Sequence, residues 1–421
     1  MLYTNAAQMR IVATCLAEIA MTMNPVAMCV PTNLEEAEKN WKSSAKDKRF
    51  IDPVFKYDTD ELNRIARLGS KLEECRTFIF THCIPEDKVD SAILSILGSR
   101  IADAILTAEM AYGIICEDDR RTMGAILKKY GTPSGGISLR CYDIVEDLAS
   151  YRTGEKGRFD ADTLKTLNSL QFGAADIRKR FLEIFNYYGF QTWKCIIDDR
   201  IKSAVDARDK TESGVSQLVI PTRKTADGRK LCSLIGHEIE SHVRGSENSR
   251  ELFRQLLGDN SPLSPLVNLL AKADDEKLYE GAAKMMDVKT NGDMSKPHPY
   301  YVIAVDQAMR NNSYANFGSV AKTIYNLKRN AGATEEEALN FAWTITRRVY
   351  RGCTNTSNHR FANTKDIAYF VGYTLAQNVP TSYLDFSSMS IADLQLLVEA
   401  GVDLTRPAYP YQDAVSFIVG P

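Results

Sequence analysis

Leu234-Ile-Gly-His-Glu-Ile-Glu-Ser-His-Val243 is the stretch on which the reading of this chain turns. It carries His237 and His242, two of only five histidines, with Glu238 directly after the first. Imidazole is the commonest metal ligand, and a glutamate beside a ligand histidine is the arrangement of zinc hydrolases. The interval here is five residues, not four. On an ideal α-helix four residues turn ~400° and leave two side chains ~40° apart, whereas five turn ~500° and leave them ~140° apart. Both imidazoles reach one ion only if the helix is locally wound wider. A single π-type turn, with i→i+5 bonding, restores the alignment, and such turns concentrate at functional sites.

Two histidines need a third donor, and Glu280 is the best candidate. It lies in Asp274-Asp-Glu-Lys-Leu-Tyr-Glu-Gly-Ala-Ala-Lys284, where Gly281, Ala282 and Ala283 allow a helix to approach another closely. Two neutral imidazoles and one carboxylate leave roughly one net positive charge on Zn²⁺, which lowers the pKa of a bound water towards ~7. Glu238, ~100° around the helix from His237, stands at the rim of the same face and can take that proton. The plainer reading is a solvated His-Glu pair and a Glu280 that belongs, with Asp274, Asp275 and Glu276, to an exposed helix face. The residues alone leave both open.

Outward from this stretch the periodicity changes. Gln191–Ile197 and Gly214–Pro221 are rich in β-branched and aromatic residues and read as strands, Pro221 ending the second. Thr225–Arg229 reads as a turn, and helical pattern resumes at Leu231 and runs to the end. Upstream, apolar residues at helical spacing predict helices over 60–80, 87–114, 118–130 and 140–150. Gly131–Gly136 reads as a loop, Asp160 or Asp162 caps a helix, and another ends at Tyr188 before Gly189. Residues 1–49 read as a helical extension, with helices near 5–23 and 33–48 separated by Pro25 and Pro31. The expected fold is α+β and mostly helical, with a small mixed sheet preceding the metal-binding helix. Residues 50–421 form one domain, with a helical part (50–190), a sheet and metal-site part (191–375) and a C-terminal helical part (376–421).

With 44% hydrophobic and 25% charged residues among 421, there is ample apolar material for a core, which excludes disorder as the main state. The net charge of −2 gives no support for bulk nucleic-acid or anionic-membrane binding. Nine scattered cysteines without a Cys-x-x-Cys pair argue against a disulfide framework and a zinc knuckle. Reduced thiols and a cytoplasmic protein are expected. The apolar run Ile11–Met23 is interrupted by Glu18 and is too short for a span, so no membrane segment is expected.

Several separated blocks carry a resemblance. His237-Glu-Ile-Glu-Ser-His242 with Arg244 is followed by Tyr279-Glu-Gly-Ala-Ala283, by Arg348-Val-Tyr-Arg-Gly352, and by Asn363-Thr-Lys-Asp-Ile-Ala-Tyr-Phe-Val-Gly372. Asp52-Pro-Val-Phe-Lys-Tyr57 opens the series. In order and approximate spacing this resembles the microtubule-associated tyrosine carboxypeptidases and their bacterial relatives with a Gln-Glu-Gly-Leu-Ala motif. The resemblance runs from about residue 50 to about residue 375. It implies a zincin-like fold and a zinc-dependent metallopeptidase, with His237, His242 and Glu280 as metal ligands and Glu238 as general base. It also implies removal of a single C-terminal residue from a peptide or protein tail. The sequence departs from the family at Glu240, Tyr279 and Ala282, expected near the cleft, and mildly at Ser241.

A carboxypeptidase must recognise a terminal carboxylate, which arginine's planar fork does well. Arg351 and Lys365 are the expected carboxylate binders, Arg348 shares a face with Arg351 and is expected to bind substrate too, and Tyr369, four after Lys365, is expected to stabilise the oxyanion. Arg244 is expected to orient substrate or to pair with Glu240 or Glu247. The strand Val215–Ile220 is the expected neighbour for main-chain pairing with a peptide. His298 and His359 are expected in loops, exposed there in preference to the alternative of standing behind a metal ligand. The rival readings are an endopeptidase that matures a precursor peptide, and a non-catalytic binding protein that keeps the fold. Neither nucleic acid nor membrane is expected as a partner, and the sequence leaves the oligomeric state open.

Overall fold

The computed structural model describes residues 1–147, 159–199, 205–208, 215–272, 276–291, 298–310, 315–357 and 361–419. Helices dominate it, with three small sheets, so the chain is α+β as expected. Its apolar side chains gather into two clusters, and the candidate site lies where they meet.

The larger cluster is helical. Leu62, Ile65, Leu72 and Ile79 recur along Thr59–His82 and bury one face, while Asp58 accepts the N–H groups of Asp60 and Glu61 at the first turn. This helix packs on Lys88–Ile115. That partner is long and apolar enough to cross a membrane by length and composition, yet more than half of its most apolar window is buried inside the protein. Ile93, Ile96, Leu97 and Ile101 all enter the core, and the buried Arg100 pairs with Asp393 at 2.7 Å. Met9, Ala13 and Leu16 from Ala6–Thr22 and Trp41 from Leu34–Lys46 belong to the same cluster, so residues 1–49 share a core with the rest. Trp41 lies 5.5 Å from Trp343, ring centre to ring centre.

The smaller cluster is backed by a sheet. Ala174–Tyr188 turns Ile177, Phe181 and Ile184 inward and ends at Gly189, whose φ of 75° favours glycine. It faces three strands in the order Trp193–Asp198, Ser216–Pro221, Asp206–Arg208. The first pair is parallel, with Trp193 opposite Ser216, and the second antiparallel, with Ala207 opposite Leu218, so the sheet is mixed as expected.

The structure corrects some expectations. Ser216–Pro221 is paired on both sides and cannot accept a peptide; the outer strand nearest the site is Asp206–Arg208. Thr225–Asp227 is a short strand paired with Gln171–Gly173, and Asp227 then caps the following helix. The predicted helix over 140–150 begins earlier, at Gly135, and its last residues, like Gly214, lie outside the described residues.

Two helices meet at the seam. The histidine helix, residues 228–257, sets Ile235, Ile239 and Val243 into the smaller cluster. The glutamate helix, Glu276–Asn291, sets Leu278, Met285 and Val288 into the larger one. They touch at Gly236, where a Cβ would stand 3.3 Å from the Met286 side chain.

Candidate metal centre

The histidine helix widens where the five-residue interval requires it. Ile235–Val243 is π-wound, flanked by α-helix on both sides. The Arg244 N–H donates to the Ile239 carbonyl and the Ser241 hydroxyl to the Gly236 carbonyl at 2.9 Å, each five residues back. The imidazoles of His237 and His242 stand edge to face, centres 4.9 Å apart.

Glu280 arrives from across the seam because its helix is seated backbone to backbone. A Cβ on Gly281 would stand 2.1 Å from the Gly372 carbonyl oxygen, and one on Gly372 would stand 1.9 Å from the Lys277 carbonyl. This close approach to Ala368–Ala376 is what Gly-Ala-Ala suggested. One Glu280 oxygen, Oε2, lies 3.9 Å from Nε2 of both histidines. Donors at ~2.1 Å from a tetrahedral ion are about 3.4 Å apart, so the two Glu280 distances exceed that spacing by about half an ångström. Glu238 also brings a carboxylate oxygen within 4.8 Å of both rings, but at 4.0 Å it approaches His237 Nε2 only. Burial, with the nearby His237 and Lys284 charges, holds His242 well below the ordinary histidine pKa, so its ring is neutral and a lone pair is available. Among the described residues the buried His242 Nδ1 has no hydrogen-bond partner.

The sequence reading missed the group that orients His237. Asp287 places Oδ2 3.1 Å from His237 Nδ1, and receives Ser233 Oγ at 2.5 Å and Lys284 Nζ at 3.0 Å. Although burial opposes it, the His237 and Lys284 charges hold this carboxyl far below the usual range. A carboxylate behind a ligand imidazole fixes its tautomer and ring plane. The signal was available: Asp287 follows Glu280 by seven residues, about two helical turns, and so faces the same way.

The donors line a cleft of about 540 Å³, with Val205 and Ala207 on the sheet side and Lys284, Arg348, Tyr369 and Tyr279 on the other. Tyr279 stacks on His242 with centres 3.8 Å apart. Arg348 donates to the Tyr301 hydroxyl at 2.5 Å, to Asp366 at 2.7 Å and to the Tyr369 hydroxyl at 3.3 Å. Burial pushes the Tyr369 phenol well above its usual pKa, so it keeps its proton.

Other expected site residues are not brought to the cleft lining. Arg244 is outside the cleft lining, bound to Glu240 at 3.0 Å, one of the two outcomes expected for it, and to Asp385 at 2.5 Å. Glu240 is buried there too, receiving the Tyr188 hydroxyl at 2.8 Å, so it is not beside the cleft as expected. Burial raises its carboxyl to about 7 against the pull of Arg244. Arg351 is buried against Asp366 at 3.3 Å. Lys365 opens the short turn Lys365–Ile367, half-buried, and its charge still reaches His242. Ala282 is buried outside the lining. His298, expected in an exposed loop, instead lines the cleft half-buried, edge-on to Tyr369 at 5.6 Å. Its φ of 56° just before Pro299 is a rare backbone for a non-glycine residue. His359 lies outside the described residues.

The blocks quoted from the sequence meet in space. Tyr57 donates its hydroxyl to the Cys353 carbonyl at 2.9 Å and accepts the Gly352 N–H at 3.0 Å. Asp366 pairs with both Arg348 and Arg351, and Gly372 seats Gly281. The chain matches no known protein-family model and no curated protein.

Proposed function

We propose that this chain is a zincin-like, zinc-dependent metallopeptidase that acts as a carboxypeptidase on a peptide or protein tail. The observation that carries the reading is the π-wound turn of the histidine helix, which brings both Nε2 atoms to 3.9 Å from one Glu280 oxygen. A wide turn is costly to hold, and here it serves the donor set. A zinc ion bound by His237, His242 and Glu280 supplies Lewis acidity towards water and a peptide carbonyl. Glu238 takes the proton of the attacking water and returns it to the leaving amine. The Tyr369 phenol, steadied by Arg348, donates a hydrogen bond to the oxyanion that develops on the carbonyl. Asp287 keeps the His237 ring in plane and its Nε2 directed at the donors. The resemblance of the separated blocks supports the exopeptidase form, as do the cationic side chains within the cleft.

The test is zinc analysis of the purified chain together with digestion of a random octapeptide library read by mass. The expected result is about one zinc per chain and loss of single C-terminal residues, stopped by a chelator. A chain without zinc, or hydrolysis indifferent to the chelator, overturns the reading.

A further inference from the structure

We infer that Lys284 is the residue that receives the terminal carboxylate of the substrate, an inference that rests on the carboxypeptidase reading above. The glutamate helix turns Glu280, Lys284 and Asp287 to one side, since four and seven residues return close to the starting direction. Lys284 therefore stands one turn beyond a candidate metal ligand, in the wall of the same cleft. Its Nζ is 3.0 Å from Asp287 Oδ2, which is itself 3.1 Å from His237 Nδ1, so the ammonium is two hydrogen bonds from the donor set. On the other side it lies 5.2 Å from the centre of the Tyr369 ring, beside the phenol assigned to the oxyanion.

The competing cations are differently placed. Arg348 is engaged by Tyr301, Asp366 and Tyr369 at once, and Arg351 is buried against Asp366 outside the lining. Lys230 is an exposed residue of the lining, and Lys224, half-buried, comes from the turn after Ser216–Pro221 and not from the glutamate helix. An ammonium has three donors. Among the described residues Asp287 accepts one of them, and the others are assigned to the substrate's carboxylate. The scissile carbonyl and the terminal carboxylate of a last residue are separated by one N–Cα unit. A cation one helical turn from the metal donors suits that short span.

The experiment compares two random octapeptide libraries, one ending in a free acid and one in an amide, with wild type, Lys284→Met and Lys284→Arg. Wild type is expected to trim the acid library and spare the amide. Lys284→Met should lower kcat/KM on the acid library roughly 10- to 100-fold, as expected for a lost charge-assisted hydrogen bond, mainly through KM. Lys284→Arg should restore most of it. A readout without turnover is capture on immobilised Glu238→Gln protein, where enrichment of acid over amide peptides should vanish when Lys284→Met is added. Zinc content should stay at that of wild type in all variants. Wild-type trimming by Lys284→Met, or an unchanged acid preference in the capture, overturns the inference and leaves the metallopeptidase standing. Loss of zinc in Lys284→Met also overturns it, because the lysine then acts on the metal site. Equal internal cleavage of both libraries, or a wild type without zinc, overturns the carboxypeptidase reading and the inference with it.

Discussion

The larger cluster holds Glu280 on a helix that meets its neighbour backbone to backbone, whereas the smaller cluster holds His237 and His242 on a helix seated by Ile235, Ile239 and Val243. The first arrangement fixes a carboxylate by distance: two glycines set how near the helices come, and nothing softer lies between them. The second fixes two imidazoles by winding, with the aliphatic face held against the sheet while the opposite face is re-aimed by the π-wound turn. A change at the Gly281 contact therefore displaces the donor as a rigid body. A change under Ile239 lets the rings rotate instead.

The largest expected effect leaves both clusters intact. Glu238→Gln should retain zinc and the wild-type unfolding curve while kcat falls by roughly 10²- to 10⁴-fold; steady-state hydrolysis with parallel zinc analysis checks it. A matched pair of core truncations comes next. Leu97→Ala in the larger cluster and Ile239→Ala in the smaller should each cost about 2–5 kcal/mol in chemical denaturation. Only Ile239→Ala should weaken zinc binding in competition with a chromophoric chelator. Equal zinc affinities in the two variants would break the comparison.

Gly281→Ala should cost about 1–3 kcal/mol by overpacking against Gly372, with zinc affinity falling in the same denaturation-matched samples. The smallest effect belongs to the orienting carboxylate. Asp287→Asn should weaken zinc about 10- to 100-fold with little loss of stability, as chelator competition and thermal melting would show side by side.

The sequence made the winding of the histidine helix legible because an interval of five leaves one geometric escape. Glu280 was legible from the small residues after it. Asp287 was equally accessible in principle, at two turns from Glu280, but no rule selects one acid among several until the neighbouring ring is in place. The arginines were legible only in part. Arg348 and Arg351 do share a partner, as their three-residue spacing implies, but that partner is Asp366 of the same chain. Spacing cannot distinguish an internal carboxylate from a bound one. Arg244 and Glu240 satisfy each other four residues apart on the hidden side of their helix. Sheet order was beyond reach as well, because the outer strand Asp206–Arg208 is only three residues long and leaves no periodic trace.

That the donors come from different clusters has a mechanical side. Any cation held by all three is a rivet through the joint between the sheet-backed and the mainly helical halves. Occupancy and cohesion then become one quantity, since an ion that binds only the assembled joint stabilises it by mass action. Stripping the ion would loosen the joint before it melted either half.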